Sequence, residues 1–181
     1  MRDGYEWTRQ FQLARIGFIG DFQGCGTGRI IGLGIQLSEA SVGDYWEDVD
    51  LYIRNHGSEI QITPEDIPFL EKLRAQDKAS IYVPPQPIRR EGAIEAMIGG
   101  YAGDNAKQHY WLCCSPHGNM GLFYAWDGTL RCNDGVARVN LLLNRASPWM
   151  DIDSYLPYEG KAVLENKTAK EALVRIPLWV D

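Results

Sequence analysis

Residues 133–143, with the sequence NDGVARVNLLL, mark the point at which the hydrophobic pattern of this chain changes. From Val136 to Leu143 the side chains alternate with a period of two, and the run is rich in residues that favour strands. The Asn133-Asp134-Gly135 tripeptide before it is typical of a turn. The stretch therefore predicts that the chain enters a β-region at about Asn133.

The residues before this point follow helical spacing instead. Residues 29–40 predict a mostly buried helix whose glycines pack closely on a neighbour, and residues 44–57 predict an amphipathic helix ending at Gly57. Thr63-Pro64-Glu65-Asp66 predicts a helix start, because it combines a capping hydroxyl, a first-turn proline and acidic side chains. The remaining predictions are a strand or extended loop at 12–20, a rigid connection at 83–87, and helices at 91–98 and 121–126.

Three more short strands are predicted after the first, at residues 149–153, 161–165 and 172–176. Strands at this spacing indicate an antiparallel sheet or a sandwich. The fold class predicted is α+β, with a helical domain at 1–132, a β-domain at 133–181 and a boundary near Arg131 to Gly135. A sandwich beginning here has about half its usual strands, so we expect a fragment of a larger protein.

Composition excludes some partners. The chain has 181 residues, 45% of them apolar, which is enough for a packed core. Its net charge of −6 comes without a basic block, so we expect no nucleic acid partner. No apolar stretch reaches the roughly 18 residues of a membrane helix, and the first residues lack the layout of a signal peptide. We therefore expect no membrane partner. The sequence leaves the compartment open and slightly favours the cytoplasm.

The cysteines are Cys25, Cys113, Cys114 and Cys132. Adjacent cysteines pair poorly with each other, so thiolate chemistry or metal binding is favoured over disulfides. Three thiolates, from Cys25, Cys113 and Cys114, with one oxygen ligand would make a tetrahedral zinc site. The alternative is that these are buried apolar cysteines, and spacing alone favours neither. We predict a structural role for Cys132.

The stretch from Gly20 to Gly28 has two interpretations. An apolar run followed by Gly-x-Gly-x-Gly resembles the phosphate loop of a dinucleotide fold, which would make the protein an NAD-dependent oxidoreductase. Alternatively, these glycines permit tight helix packing. The absence of repeated βαβ units in the predicted pattern favours the second interpretation.

Several motifs occur together in one order. These motifs are GC at 24–25, LSEA at 37–40, GDYWEDVD at 43–50, CCSPHGN at 113–119, LFYAW at 122–126, RVNLLLNRASPW at 138–149, DSYLPYEG at 153–160 and VRIPLWV at 174–180. Together they cover nearly the whole chain, and in this order they resemble the β-L-arabinofuranosidase family of glycoside hydrolases.

The resemblance implies the late helices of an (α/α)-barrel catalytic domain followed by the first strands of a β-sandwich. It also implies zinc held by one glutamate and three cysteines, which here are Cys25, Cys113 and Cys114. The glutamate position is occupied by Gln23, whose neutral amide would weaken metal binding. Cys113 would in addition be the nucleophile, and Glu6 lies about where the family's general acid/base is found.

The chemistry implied is retaining hydrolysis of a terminal furanoside in a carbohydrate substrate. A thiolate attacks the anomeric carbon, a carboxylic acid protonates the leaving oxygen, and water then releases the sugar. The alternative implied by Gln23 and by the missing part of the barrel is a catalytically inactive fragment, stabilised by metal or contacting carbohydrate.

Overall fold

A computed structural model describes residues 1–13, 16–18, 23–76 and 91–180. The chain is a mixed α+β protein, as predicted. Its helices are α1 (Arg2–Arg9), α2 (Gly24–Glu39), α3 (Trp46–Tyr52), α4 (Ser58–Ile60), α5 (Ile67–Gln76) and α6 (Cys114–Gly128). Its strands are β1 (Leu130–Asn133), β2 (Val136–Val139), β3 (Met150–Ser154), β4 (Ala162–Asn166) and β5 (Glu171–Val174).

The helical core forms where α2 packs against α3 and α6. Ile31 and Ile35 of α2 and Val49 and Tyr52 of α3 are almost completely buried there. α2 and α6 run parallel, because Gly24 lies beside Cys114 at one end of the pair and Ile35 lies beside Gly128 at the other. The N-termini of both helices therefore meet.

Glycines at the crossing allow α2 and α6 to approach closely. A Cβ added to Gly121 would lie 2.6 Å from the Cα of Gly28. A Cβ added to Gly28 would lie well inside van der Waals contact with the carbonyl oxygen of His117. The prediction of tight helix packing is confirmed, whereas Gly24–Gly28 forms the first turns of α2 instead of a phosphate loop.

Other boundaries predicted from the sequence need correction. The helix predicted at 44–57 continues through a π-helical turn (Ile53–Gly57) into α4, so Gly57 does not end it. The helix predicted at 91–98 is reduced to a 3-10 turn, Glu95–Met97. The helix predicted at 121–126 is the second half of α6. The connection predicted at 83–87, and part of the strand predicted at 12–20, lie outside the described residues.

The strands form two small sheets. β1 and β2 pair antiparallel across a tight turn in which Asp134 and Gly135 both have positive φ, and β3 and β4 also pair antiparallel. β5 pairs with β2 in parallel, so the expectation of a wholly antiparallel region is wrong for this strand. β1 begins at Leu130, a few residues before the strand period becomes visible in the sequence.

The strand region packs on the helices. Leu141 is buried within the helical core, and Arg54 donates a hydrogen bond to the carbonyl oxygen of Leu142 at 2.7 Å. Near the other end of the region, the indole of Trp179 donates to a carboxylate oxygen of Asp50 at 3.1 Å. These contacts hold the strand region against α3 and the π-helical turn that follows it.

The predicted helix start at Thr63 is confirmed as a capping box that leads through a 3-10 turn (Pro64–Asp66) into α5. Asp66 Oδ2 accepts hydrogen bonds from the Thr63 backbone N–H and from Lys107 Nζ, both at 2.8 Å. Burial pushes the pKa of Asp66 upward, but the bonds from Lys107 and Thr63 outweigh it and hold the pKa below its usual range. Asp66 thus ties α5 to the loop that carries Lys107.

We expect Asp66→Asn to lower the free energy of unfolding by about 1–2 kcal/mol at neutral pH. Because the folded-state pKa is depressed, the stability that Asp66 contributes is present above its unfolded pKa and is lost as the pH falls. The unfolding curves in urea of the two proteins should therefore converge in acid. Glu71→Gln, which removes an exposed ion pair to Arg74, is the control and should change stability little at either pH. A loss that persisted unchanged in acid would contradict this assignment.

Candidate metal centre

Three thiols meet where the two parallel helices begin. Cys25 is the second residue of α2, Cys113 is the N-cap of α6 and Cys114 is its first residue. Their sulfur atoms all lie within 4.8 Å of one another, and those of Cys113 and Cys114 are 4.0 Å apart. Residues separated by 88 positions in the sequence are therefore brought to one point.

Gln23 supplies an oxygen beside the thiols. Its Oε1 accepts a hydrogen bond from the Cys25 thiol at 3.3 Å. Three sulfur donors with one amide oxygen are a donor set that suits a thiophilic divalent ion such as zinc. The residues that the sequence analysis selected as metal ligands are thus the residues that the fold gathers.

The thiols differ in exposure and acidity. Cys113 is exposed, Cys25 is half-buried and Cys114 is buried. Burial, together with the neighbouring thiols Cys113 and Cys25, raises the pKa of Cys114 to about 11, against a partial lowering by a hydrogen bond from the backbone of Cys25. The N-terminal ends of α2 and α6 carry partial positive charge, which favours thiolates once a cation has replaced the protons.

We expect the metal-free thiols to alkylate in the order of their exposure. Iodoacetamide should label Cys113 first and Cys114 at least about tenfold more slowly, because only the thiolate is nucleophilic. Labelling of Cys114 should accelerate as the pH is raised toward 11. Peptide mass spectrometry during a time course measures each rate, and the half-buried Cys132 serves as the internal reference. Equal rates at Cys113 and Cys114 would contradict the geometry.

Two short extended segments pair beside the thiols, and a loop follows the second of them. The backbone of residues 60–62 pairs with that of residues 99–102, and Gly24 N–H donates to the carbonyl oxygen of Ala102 at 3.2 Å. A Cβ added to Gly24 would lie 2.8 Å from Cβ of Tyr101, so the start of α2 lies directly on this segment. The loop that follows runs from Gly103 to Trp111 and leads into Cys113.

This loop borders a cavity of about 500 Å³ beside Gln23. The cavity wall combines apolar surface with polar side chains, and its lining residues include Gln23, Asp104, Asn105, Gln108, His109 and Trp111. Polar groups combined with an aromatic surface suit a ligand that carries several hydroxyl groups. The loop residues could not be selected from the sequence, since no periodicity or spacing distinguishes them.

Asp104 and His109 form a pair on this cavity. His109 Nδ1 is in short contact with Asp104 Oδ2, and the backbone N–H of Gln108 donates to Asp104 Oδ1 at 3.1 Å. Burial acts to raise the pKa of Asp104, but the hydrogen bonds from His109 and Gln108 outweigh it, so the pKa is lowered. Asp104 is therefore an ionised anchor for the His109 ring.

Glu6 is not brought to the thiols. Its Oε1 accepts a hydrogen bond of 2.6 Å from the hydroxyl of Tyr45, and Tyr45 packs beside Gly34. Gly34 lies nine residues after Cys25 in α2, which is roughly 13 Å along the helix axis. Cys132 lies in β1, in register with Ala137, away from the three gathered thiols.

No protein-family model, curated protein or solved structure matches this chain. None of the helices in the described ranges has the length and apolar character needed to cross a membrane.

Proposed function

We propose that this chain belongs to a zinc-dependent glycoside hydrolase of the β-L-arabinofuranosidase type, with Cys113 as its nucleophile. The proposal includes the organisation that the resemblance implies, in which α1–α6 are late helices of an (α/α) barrel and β1–β5 begin a β-sandwich. The substrate would be a carbohydrate with a terminal furanose.

The observation that carries the proposal is the gathering of Cys25, Cys113 and Cys114 within 4.8 Å. These are the three sulfur ligands that the motifs assign, and they come from distant segments. A second support is the cavity beside Gln23, which carries polar side chains and the Trp111 ring and is large enough for a sugar ring. A third is the exposure of Cys113, because a nucleophile must be accessible to its substrate.

Each residue of the site has its own role in the proposed hydrolysis. Cys25, Cys114, Cys113 and the amide oxygen of Gln23 would hold zinc, which when bound keeps the Cys113 thiol deprotonated near neutral pH. The Cys113 thiolate attacks the anomeric carbon and forms a thioglycosyl intermediate as the glycosidic C–O bond breaks, and the leaving oxygen takes its proton from solvent. Water then hydrolyses the C–S bond, which releases the sugar with retention and restores the thiolate. Side chains on the cavity wall would orient the ring through its hydroxyl groups.

The second candidate function is a metal-stabilised module without catalytic activity. Two observations favour it: Gln23 replaces an anionic ligand by a neutral amide, and Glu6 is held by Tyr45 away from the thiols. The proton donor that retaining hydrolysis needs is then missing at Glu6. In this case the fold would use the metal only to join α2 and α6.

Hydrolysis of an aryl β-L-arabinofuranoside by the zinc-loaded chain tests the first proposal. We expect turnover that Cys113→Ala abolishes and that Cys132→Ala leaves unchanged. Retention of the fold by the inactive variant would separate a lost nucleophile from an unfolded chain. Full zinc occupancy with no turnover of aryl furanosides would overturn the hydrolase proposal for this chain and support the inactive module.

We expect Gln23→Glu to raise zinc affinity by about tenfold or more, equal to about 1.4 kcal/mol, because a carboxylate adds the negative charge that the amide lacks. Competition with a chromophoric zinc chelator measures the change. Gln108→Glu, which places the same charge elsewhere on the cavity wall, is the matched control. An equal gain in both variants would show a general charge effect instead of ligation at residue 23.

A further inference from the structure

We propose that the thiols of Cys25, Cys113 and Cys114 also form a three-coordinate site for monovalent copper, in which Gln23 takes no part. The proposal rests on the thiol cluster alone and does not require hydrolase activity. Its consequence is that monovalent copper displaces zinc from the centre.

The donor set of the thiol cluster suits monovalent copper. Among the described residues, the group of potential metal ligands at this point contains these three cysteines and no histidine or carboxylate. Soft thiolates such as these select monovalent copper as well as zinc. The sulfur atoms, all within 4.8 Å of one another, can converge on one small ion.

Zinc and monovalent copper differ in the number of ligands that they need. Structural zinc is almost always four-coordinate, so it depends on a fourth donor, and here that donor is the neutral amide of Gln23. Monovalent copper is satisfied by three thiolates in a plane. The neutral amide therefore weakens zinc binding and leaves copper binding unaffected. This difference favours copper at the site.

The charge of the copper complex and the exposure of the cluster also suit monovalent copper. Each thiol releases its proton to solvent as a copper–sulfur bond forms, no electron is transferred, and the complex carries a charge of two minus. The N-terminal ends of α2 and α6 both meet at this point and favour negative charge. The exposed Cys113 gives an incoming ion a route for exchange with the buried Cys114.

The test is an anaerobic titration of the zinc-loaded chain with monovalent copper held by a chromophoric chelator. We expect one equivalent of copper to release one equivalent of zinc. Cys25→Ser should lower copper affinity by more than about 100-fold, since a ligand is lost. Gln23→Ala should weaken zinc and leave copper unchanged, and Cys132→Ser should change neither.

Three outcomes would overturn the proposal: copper that leaves zinc in place, equal copper affinity after Cys25→Ser, or copper affinity that depends on Gln23. Cys113→Ser, at an exposed position, provides a second ligand variant if Cys25→Ser fails to fold. Zinc binding without copper binding would refute this inference and leave the proposed function standing. Copper binding without zinc binding would do the reverse.

Discussion

Zinc is expected to bind the purified chain at one ion per molecule and to raise its free energy of unfolding. The increase should be about 4 kcal/mol when free zinc exceeds the dissociation constant about a thousandfold. The reason is that Cys25 and Cys114 begin different helices and meet only in the folded chain, so zinc binds the folded state in preference to the unfolded state. Elemental analysis and urea unfolding, with and without a chelator, measure both effects.

Cys114→Ala and Cys132→Ala form the matched pair for this experiment. Cys114 is buried at the centre and should be required for both zinc content and zinc-dependent stability. Cys132 lies in β1, and its loss should leave both intact. Comparing the metal-free proteins first removes the cost of the small cavity that Cys114→Ala creates. Zinc that remained at one equivalent in Cys114→Ala would refute the centre.

Much of the fold could be predicted from residue patterns, and the failures have physical causes. The alternating pattern that begins at Val136 predicts a strand as far as Leu143, but the corresponding strand, β2, ends at Val139. After Val139 the chain leaves the strand, and Leu141 is buried in the helical core while Leu142 is buried in the strand core. Packing between the helical part and the strand part of the chain decides where β2 ends, and the local sequence pattern contains no information about that packing.

The start of α2 is a second case. Glycine is a poor helix former, so Gly24 to Gly28 favours a loop when judged by propensity alone. In the fold these residues are helical, because Gly24 and Gly28 lack side chains and so let α2 approach α6. Tertiary contact here outweighs local preference, and the partner helix begins 90 residues later in the sequence, at Cys114.

The thiol cluster could be named from motifs but not from spacing. A gap of 88 residues between Cys25 and Cys113 carries no distance information, and the two become neighbours only because their helices run parallel. The loop with Asp104 and His109 is harder still to predict. Its shape depends on hydrogen bonds within the loop, such as Gly103 N–H to the carbonyl oxygen of His109 at 2.7 Å.

Gly28→Ala is expected to be the most damaging conservative substitution in the helical part. The new Cβ would overlap the carbonyl oxygen of His117, and backbone on both sides of the contact prevents relief by rotation of a side chain. Overpacking of this kind costs about 3 kcal/mol or more, which outweighs the gain of about 1 kcal/mol in helix propensity. Urea unfolding measures the loss.

Two other glycines make this prediction specific. Gly4→Ala in α1 meets nothing within 4 Å and should stabilise the chain slightly. Gly32→Ala meets a ring carbon of Tyr124 at 3.0 Å, and because that ring can move, its cost should be intermediate. Separation of α2 from α6 would also pull Cys25 away from Cys114, so Gly28→Ala should weaken zinc binding while Gly4→Ala does not. If Gly28→Ala behaved like Gly4→Ala in both measurements, the close crossing that builds the centre would be refuted.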